Sequence, residues 1–135
     1  MDGFGSWYKI QAQEERDHAL LFIQYLQNNG EKVTLKAVDK PDKVLKDKLE
    51  VLEFGLEHEQ YVTASIHTIY DAAYNDRDFR TMQFLDWFVK EQGEEEKNAE
   101  DLIKKMELFG GDSRSLYMLN NEMAARVYSA PSLVL

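Results

Sequence analysis

The chain has 135 residues, with 25 acidic against 16 basic side chains, a formal charge of −9, no cysteine and two prolines. That length suits one compact domain, and zero cysteine excludes disulfides, thiolate metal sites, iron–sulfur clusters and a cysteine nucleophile. An acidic chain without a Lys/Arg cluster repels phosphate backbones and anionic lipid, which argues against nucleic-acid and membrane partners and makes cations the natural ones.

Hydrophobic residues at 44% and aromatic ones at 12% distinguish the chain from a disordered acidic tail. No apolar run approaches the roughly 20 residues of a membrane span. The start, Met1-Asp2-Gly3-Phe4-Gly5, lacks the basic n-region of a secretory signal. A cytoplasmic, soluble domain is therefore expected.

Both prolines lie at edges, Pro41 ahead of a long periodic stretch and Pro131 in the tail, so the chain between them reads as helix without a breaker. The pattern predicts an all-α fold. A first helix runs from about Ser6, a suitable N-cap, to about Gln27, where Asn28-Asn29-Gly30 supplies a left-handed C-terminal cap. A second starts near Pro41, with Asp39 as cap, and runs to about Tyr74. Asn75 to Asp78 form the turn into a third, from about Phe79 to Phe109, stopped by Gly110-Gly111. A short fourth covers about Ser113 to Val127, before an apolar tail.

The connection Glu31 to Lys40 is too long for a tight antiparallel join. At about 3.3 Å per residue, ten to twelve extended residues reach roughly 35 to 40 Å, close to the length of a 25-residue helix at about 1.5 Å per residue. It is read as a crossover along a bundle of three long helices and one short one. The second and third helices form an antiparallel hairpin.

Steps of three and four trace an apolar stripe on each long helix. The first gives Phe4, Tyr8, Ala12, then Glu15, then Ala19, Phe22 and Leu26, with His18 three residues after Glu15 on the same face. The second gives Leu45, Leu49, Leu52, Leu56, then Glu59, then Val62, Ile66, Ile69 and Ala73. The third gives Met82, Leu85, Phe88 or Val89, then Gln92 and Glu95, then Ala99, Leu102 or Ile103, and Met106. Each stripe is interrupted midway by an acid.

Desolvating an ionised carboxylate without a partner costs several kcal/mol. No Arg or Lys sits on the mid-helix part of these stripes, so a metal is the available counter-charge. Glu15, Glu59 and Glu95 with the Glu15-x-x-His18 pair make hard oxygen ligands plus an imidazole, suited to iron or manganese and adequate for zinc. The Glu-x-x-His arrangement is the known pattern of di-iron carboxylate bundles. His58 and His67 complete no second Glu-x-x-His and are read as surface residues. Trp7 and Trp87 are read as core packing, and Glu94-Glu95-Glu96 by default as a solvated face.

At these residues the sequence resembles a bacterial non-haem ferritin. The matching stretches are Gln11-Ala12-Gln13-Glu14-Glu15-Arg16-Asp17-His18, His58-Glu59-Gln60, and Phe84 through Lys97, in matching order and separation, with likeness continuing through Leu116-Tyr117. The resemblance implies a dinuclear ferroxidase centre in each subunit, dioxygen or peroxide as oxidant, and ferric mineral collected inside a cage of subunits. By position, Glu15 would bridge two irons, His18 would bind the first, Glu59 and Glu95 the second, and Gln92 would be a nearby polar or weak ligand. A third iron beside the pair would draw on Glu14, Glu91, Glu94 and Glu95. The axial methionine of haem-binding relatives would fall near Asp17, so no haem is expected.

The resemblance also implies a departure: the family's first helix, which supplies a terminal carboxylate and one wall of the bundle, has no counterpart before Met1. Three carboxylates would then face two divalent ions where the family has four. Ferroxidase activity follows if the di-iron site is completed, and the exposed seam predicts association, as a cage or a helix-swapped homo-oligomer. The alternatives are an assembly subunit with little catalysis and an acidic helical interaction module without metal.

Overall fold

The computed structural model describes residues 2–135; Met1, the first residue of the segment read for a secretory signal, lies outside the described residues. Every regular element among the described residues is a helix: α1 (Asp2–Asn28), α2 (Lys48–Asn75), α3 (Phe79–Phe109) and α4 (Ser113–Ala124). The chain divides into two compact units, one made of the chain up to Asp42 with Asp112–Leu135, the other of Lys43–Gly111. Among the described residues, no helix is long and apolar enough to cross a membrane.

In the first unit α1 packs with α4. Helix α1 starts earlier than the expected Ser6 cap because its first turn is held from outside. Gly3 donates its N–H to Asn120 Oδ1 at 2.9 Å. A Cβ at Gly3 would lie 1.9 Å from the Asn120 carbonyl oxygen, so only glycine permits this approach. Phe4, Leu119 and Met123 are buried in this unit. The helix ends as predicted: Gly30 adopts φ 75°, and Glu31 donates its N–H to the Leu26 carbonyl at 2.9 Å.

Helix α4 opens on Asp112, whose side chain accepts the N–H groups of Arg114 and Ser115, both at 3.0 Å. It stops at Ala124, short of the expected Val127. Beyond it the chain is drawn onto α1 by polar contacts: Arg126 to Glu14 and Gln11, the Tyr128 hydroxyl to Asp17, and the Ser129 N–H to Glu14.

The long connection between α1 and α2 is present and extends farther than predicted, because α2 begins at Lys48 and not near Pro41. Pro41 and Leu45 lie outside the helix. The cap is Asp47, which accepts the Glu50 N–H at 2.9 Å, while the Glu50 carboxylate accepts the Lys46 N–H. These two hydrogen bonds make a stronger start signal than a proline, which restricts its own φ and the preceding residue but does not require a helix after it.

The second unit is the α2–α3 hairpin. Tyr70 meets Asp86 while Glu59 meets Gln92, so the helices run antiparallel. Leu52, Ile66 and Ala73 from α2, with Phe84, Leu85 and Phe88 from α3, are its buried apolar residues. Phe88 packs at 5.1 Å from the Phe84 ring and edge-on at 4.9 Å from Trp87. The turn falls where predicted: Arg77 takes φ 55° and Asp78 donates its N–H back to the Ala73 carbonyl at 2.8 Å.

The predicted stripes need correction at three places. Ala12 and Ala19 are exposed and Ile69 is 44% exposed, while of the alternatives Phe88 and Val89 it is Phe88 that is buried. On α1 the buried residues are Gly3, Phe4, Gln11 and His18. Stepping along small residues drifted one position off a seam that polar side chains occupy.

Candidate metal centre

The first unit contributes a polar patch on α1. Glu15 and His18 are one turn apart, with Glu15 Oε2 3.5 Å from His18 Nδ1. His18 is buried and Glu15 half-buried. Gln11, one turn earlier and also buried, donates its amide N–H to Glu15 Oε1 at 2.8 Å. The two carboxylate oxygens are thereby distinguished: one accepts from Gln11, the other lies on the histidine side.

Glu14 sits beside this pair with a different partner. Arg126 forms an ion pair with Glu14 Oε2, and the two side chains are 20% and 13% exposed. The same guanidinium donates to Gln11 Oε1 at 2.8 Å and lies 4.3 Å over the Trp7 ring. A counter-charge therefore does reach this face. It comes from the segment after α4, outside the helical stripes on which no Arg or Lys was found.

The second unit contributes Glu59 on α2 and Gln92 and Glu95 on α3. Gln92 is 4% exposed and its amide nitrogen lies 3.1 Å from the Glu59 carbonyl, 3.2 Å from Glu59 Oε2 and 3.2 Å from Thr63 Oγ1. Thr63 in turn donates its hydroxyl to Glu96 Oε1 at 2.6 Å. Glu95 is buried at 7% exposure and Glu59 half-buried. Glu94 is exposed, 4.0 Å from Lys90, and Glu91 is half-buried. His58 and His67 are exposed, in agreement with their reading as surface residues, while Trp7 and Trp87 are half-buried.

Each unit thus carries the same device, a buried glutamine whose amide donates to a half-buried glutamate: Gln11 to Glu15 and Gln92 to Glu59. Such outer partners orient metal-binding carboxylates and limit their rotation. The carboxylate and imidazole of the first unit, and the carboxylates of the second, are each hard donors of the kind that suits ferrous or ferric iron. Earlier on α1, burial pushes the Tyr8 phenol up to about 12, so it stays protonated and adds no charge.

Three residues of this network were not assigned roles from sequence. Thr63 follows Glu59 by four and Gln11 precedes Glu15 by four, so helical spacing was an available signal for both. Arg126 gave none, being more than a hundred residues from its partners.

Comparisons with known proteins bear on this arrangement. The family model of the ferritin-like domain matches residues 1–109. The bacterial non-heme ferritin of Staphylococcus haemolyticus is 36% identical over 127 residues, covering 94% of this chain and 76% of that protein. That of Campylobacter jejuni is 37% identical over 118 residues, covering 87% and 71%. Among solved structures, an engineered closed form of the Archaeoglobus fulgidus ferritin aligns with TM-score 0.91 at 37% identity, over 94% of this chain and 77% of that one. The open-pore ferritin of the same archaeon aligns with TM-score 0.90 at 38% identity, over 93% and 77%.

Proposed function

This chain belongs to the ferritin family, and from that premise we propose that it binds ferrous iron as substrate, oxidises it and contributes to storing the ferric product. The proposed centre is dinuclear. Glu15 bridges the two ions, His18 holds the first, Glu59 and Glu95 hold the second, and Gln92 stands beside them as an orienting group or weak ligand. Glu91, Glu94 and Glu95 are the acids for a further ion; an ion that also used Glu14 would have to displace the Arg126 guanidinium.

The observation that carries this reading is the set of buried polar side chains that each unit carries. Glu95, Gln92, His18 and Gln11 are all buried at helix positions where an apolar core would place leucine. A buried acid is costly to retain without a cation. Support also comes from the paired amide clamps on Glu15 and Glu59, which fix the carboxylates before an ion arrives.

The chemistry is a two-electron transfer from two ions held side by side. Each ferrous ion loses one electron. Dioxygen takes up two electrons and two protons to give hydrogen peroxide, and peroxide as oxidant takes up the same number to give two waters. Carboxylates favour the product because they are hard anionic ligands for the more highly charged ion. His18, neutral when it binds a cation, leaves the charge balance to the acids.

The protein is proposed to work in the cytoplasm as a homo-oligomer, in a cage or by exchange of helices, with iron and dioxygen or peroxide as its small partners and without haem. The test is aerobic addition of ferrous iron to the protein and to a Glu15→Ala variant. The variant should oxidise iron at least tenfold more slowly. Equal rates and stoichiometries would contradict the reading.

A further inference from the structure

We infer that Arg126 is a positioning residue for Glu15, acting through the Gln11 amide that it anchors. The inference rests on the reading of Glu15 and His18 as iron ligands and concerns how this chain holds them.

A glutamine amide has a donating and an accepting end of nearly the same shape, and its surroundings select the orientation. Gln11 lies between a guanidinium and a carboxylate. A guanidinium only donates, so Arg126 Nη1, at 2.8 Å from Gln11 Oε1, requires the carbonyl end to face the C-terminal segment. The NH2 end is then committed to Glu15 Oε1, also at 2.8 Å. The acceptor-only carboxylate selects the same orientation, and the guanidinium adds a second anchor at the opposite end of the amide. Arg126 thus pins the Gln11 side chain where its NH2 group reaches Glu15 Oε1, and without that anchor the hold on Glu15 loosens.

The arginine is itself well held. The Trp7 ring lies under it, Glu14 pairs with it, and its side chain is only 20% exposed. The Ser129 N–H to Glu14 Oε1, at 3.2 Å, ties the following chain to the same carboxylate. The segment after α4 therefore acts on the centre through one defined relay: Arg126, Gln11, Glu15.

The relay predicts a coupling that a merely stabilising arginine would not show. Metal-free protein is titrated with Co2+ as a spectroscopic probe, comparing wild type, Arg126→Gln, Gln11→Leu and the double variant, with folding checked by far-UV circular dichroism. Each single substitution should weaken Co2+ binding about tenfold, the range for loss of an outer partner of a metal ligand. The double variant should bind no more weakly than Gln11→Leu alone. Arg126→Lys, which keeps the charge and loses the planar fork, serves if Arg126→Gln does not fold, and should weaken binding in the same direction. Tyr128→Phe removes the same segment's contact with Asp17 and should leave Co2+ affinity unchanged.

In the metal-free wild type the Gln11 side-chain amide should exchange slowly with solvent, and in Arg126→Gln at least tenfold faster. Unchanged Co2+ affinity in the arginine variants, or losses that multiply in the double variant, would overturn the relay. A Glu15→Ala variant that binds Co2+ as tightly as wild type would instead overturn the reading of the site itself, so the two failures are distinguishable.

Discussion

The Gln92 amide nitrogen on α3 lies 3.2 Å from Glu59 Oε2 on α2, so one buried glutamine aims the carboxylate of the neighbouring helix. The same nitrogen also faces the Glu59 carbonyl and the Thr63 hydroxyl, and a leucine there would remove both N–H groups that serve these three acceptors. Gln92→Leu should therefore cost about 1–2 kcal/mol of metal-free stability and weaken divalent-cation binding about tenfold. Gln92→Glu should also destabilise the metal-free protein, by adding a second carboxylate beside Glu59, but should tighten cation binding. Urea denaturation and a cation titration of both variants check the opposite signs.

The turn between α2 and α3 places a side chain where glycine is favoured. Arg77 has φ 55°, a conformation that costs an L-residue roughly 1–2 kcal/mol and glycine almost nothing. Glycine also adds entropy to the unfolded chain, which offsets part of the gain. Arg77→Gly should stabilise the protein by about 0.5–1 kcal/mol, read as a higher urea midpoint with an unchanged slope.

Leu85 is completely buried in the α2–α3 hairpin. Leu85→Ala removes its contacts and leaves a cavity, and the expected loss is about 3 kcal/mol, within the usual range for a core leucine. Chemical denaturation of the metal-free protein measures it.

Two helix caps make stability depend on acid. Hydrogen bonds from Thr81 hold the Asp78 carboxyl below its ordinary value of 3.8, and hydrogen bonds from Ser115 do the same for Asp112. A lowered folded-state value means that these carboxylates stabilise the protein at pH above the unfolded value, and that this contribution is lost as pH falls through the folded one. The urea midpoint should drop on acidification below 3.8. In an Asp78→Asn, Asp112→Asn double variant, whose amides still cap but do not titrate, the drop should be smaller.

Much of this was legible in the sequence for local reasons. Gly30, the Asn75–Asp78 turn and the end of α3 at Phe109 are set by neighbouring residues. Glu15 with His18, and Gln92 with Glu95, declare themselves by helical spacing. The family likeness carried by those stretches agrees with the match of the ferritin-like domain to residues 1–109. The start of α2 was missed because Pro41 was weighed above the cap that Asp47 places on the Glu50 N–H and the bond from the Lys46 N–H to the Glu50 carboxylate. On α1 the stripe took in Ala12 and Ala19, which are exposed, and passed over Gln11, which is buried, while His18 is buried as its place beside Glu15 suggests. Arg126 was not legible, since its partners are brought to it by the packing of α1 with α4, and no local pattern encodes that contact.

The central claim is that Glu15, His18, Glu59 and Glu95 together hold two iron ions. Anomalous diffraction at the iron edge, on crystals soaked in ferrous iron without oxygen, tests it most directly. The account predicts two peaks about 3.5–4 Å apart, within bonding distance of these four side chains, and loss of both in Glu15→Ala. Peaks confined to exposed surface acids, or a Glu15→Ala crystal that keeps both, would contradict it.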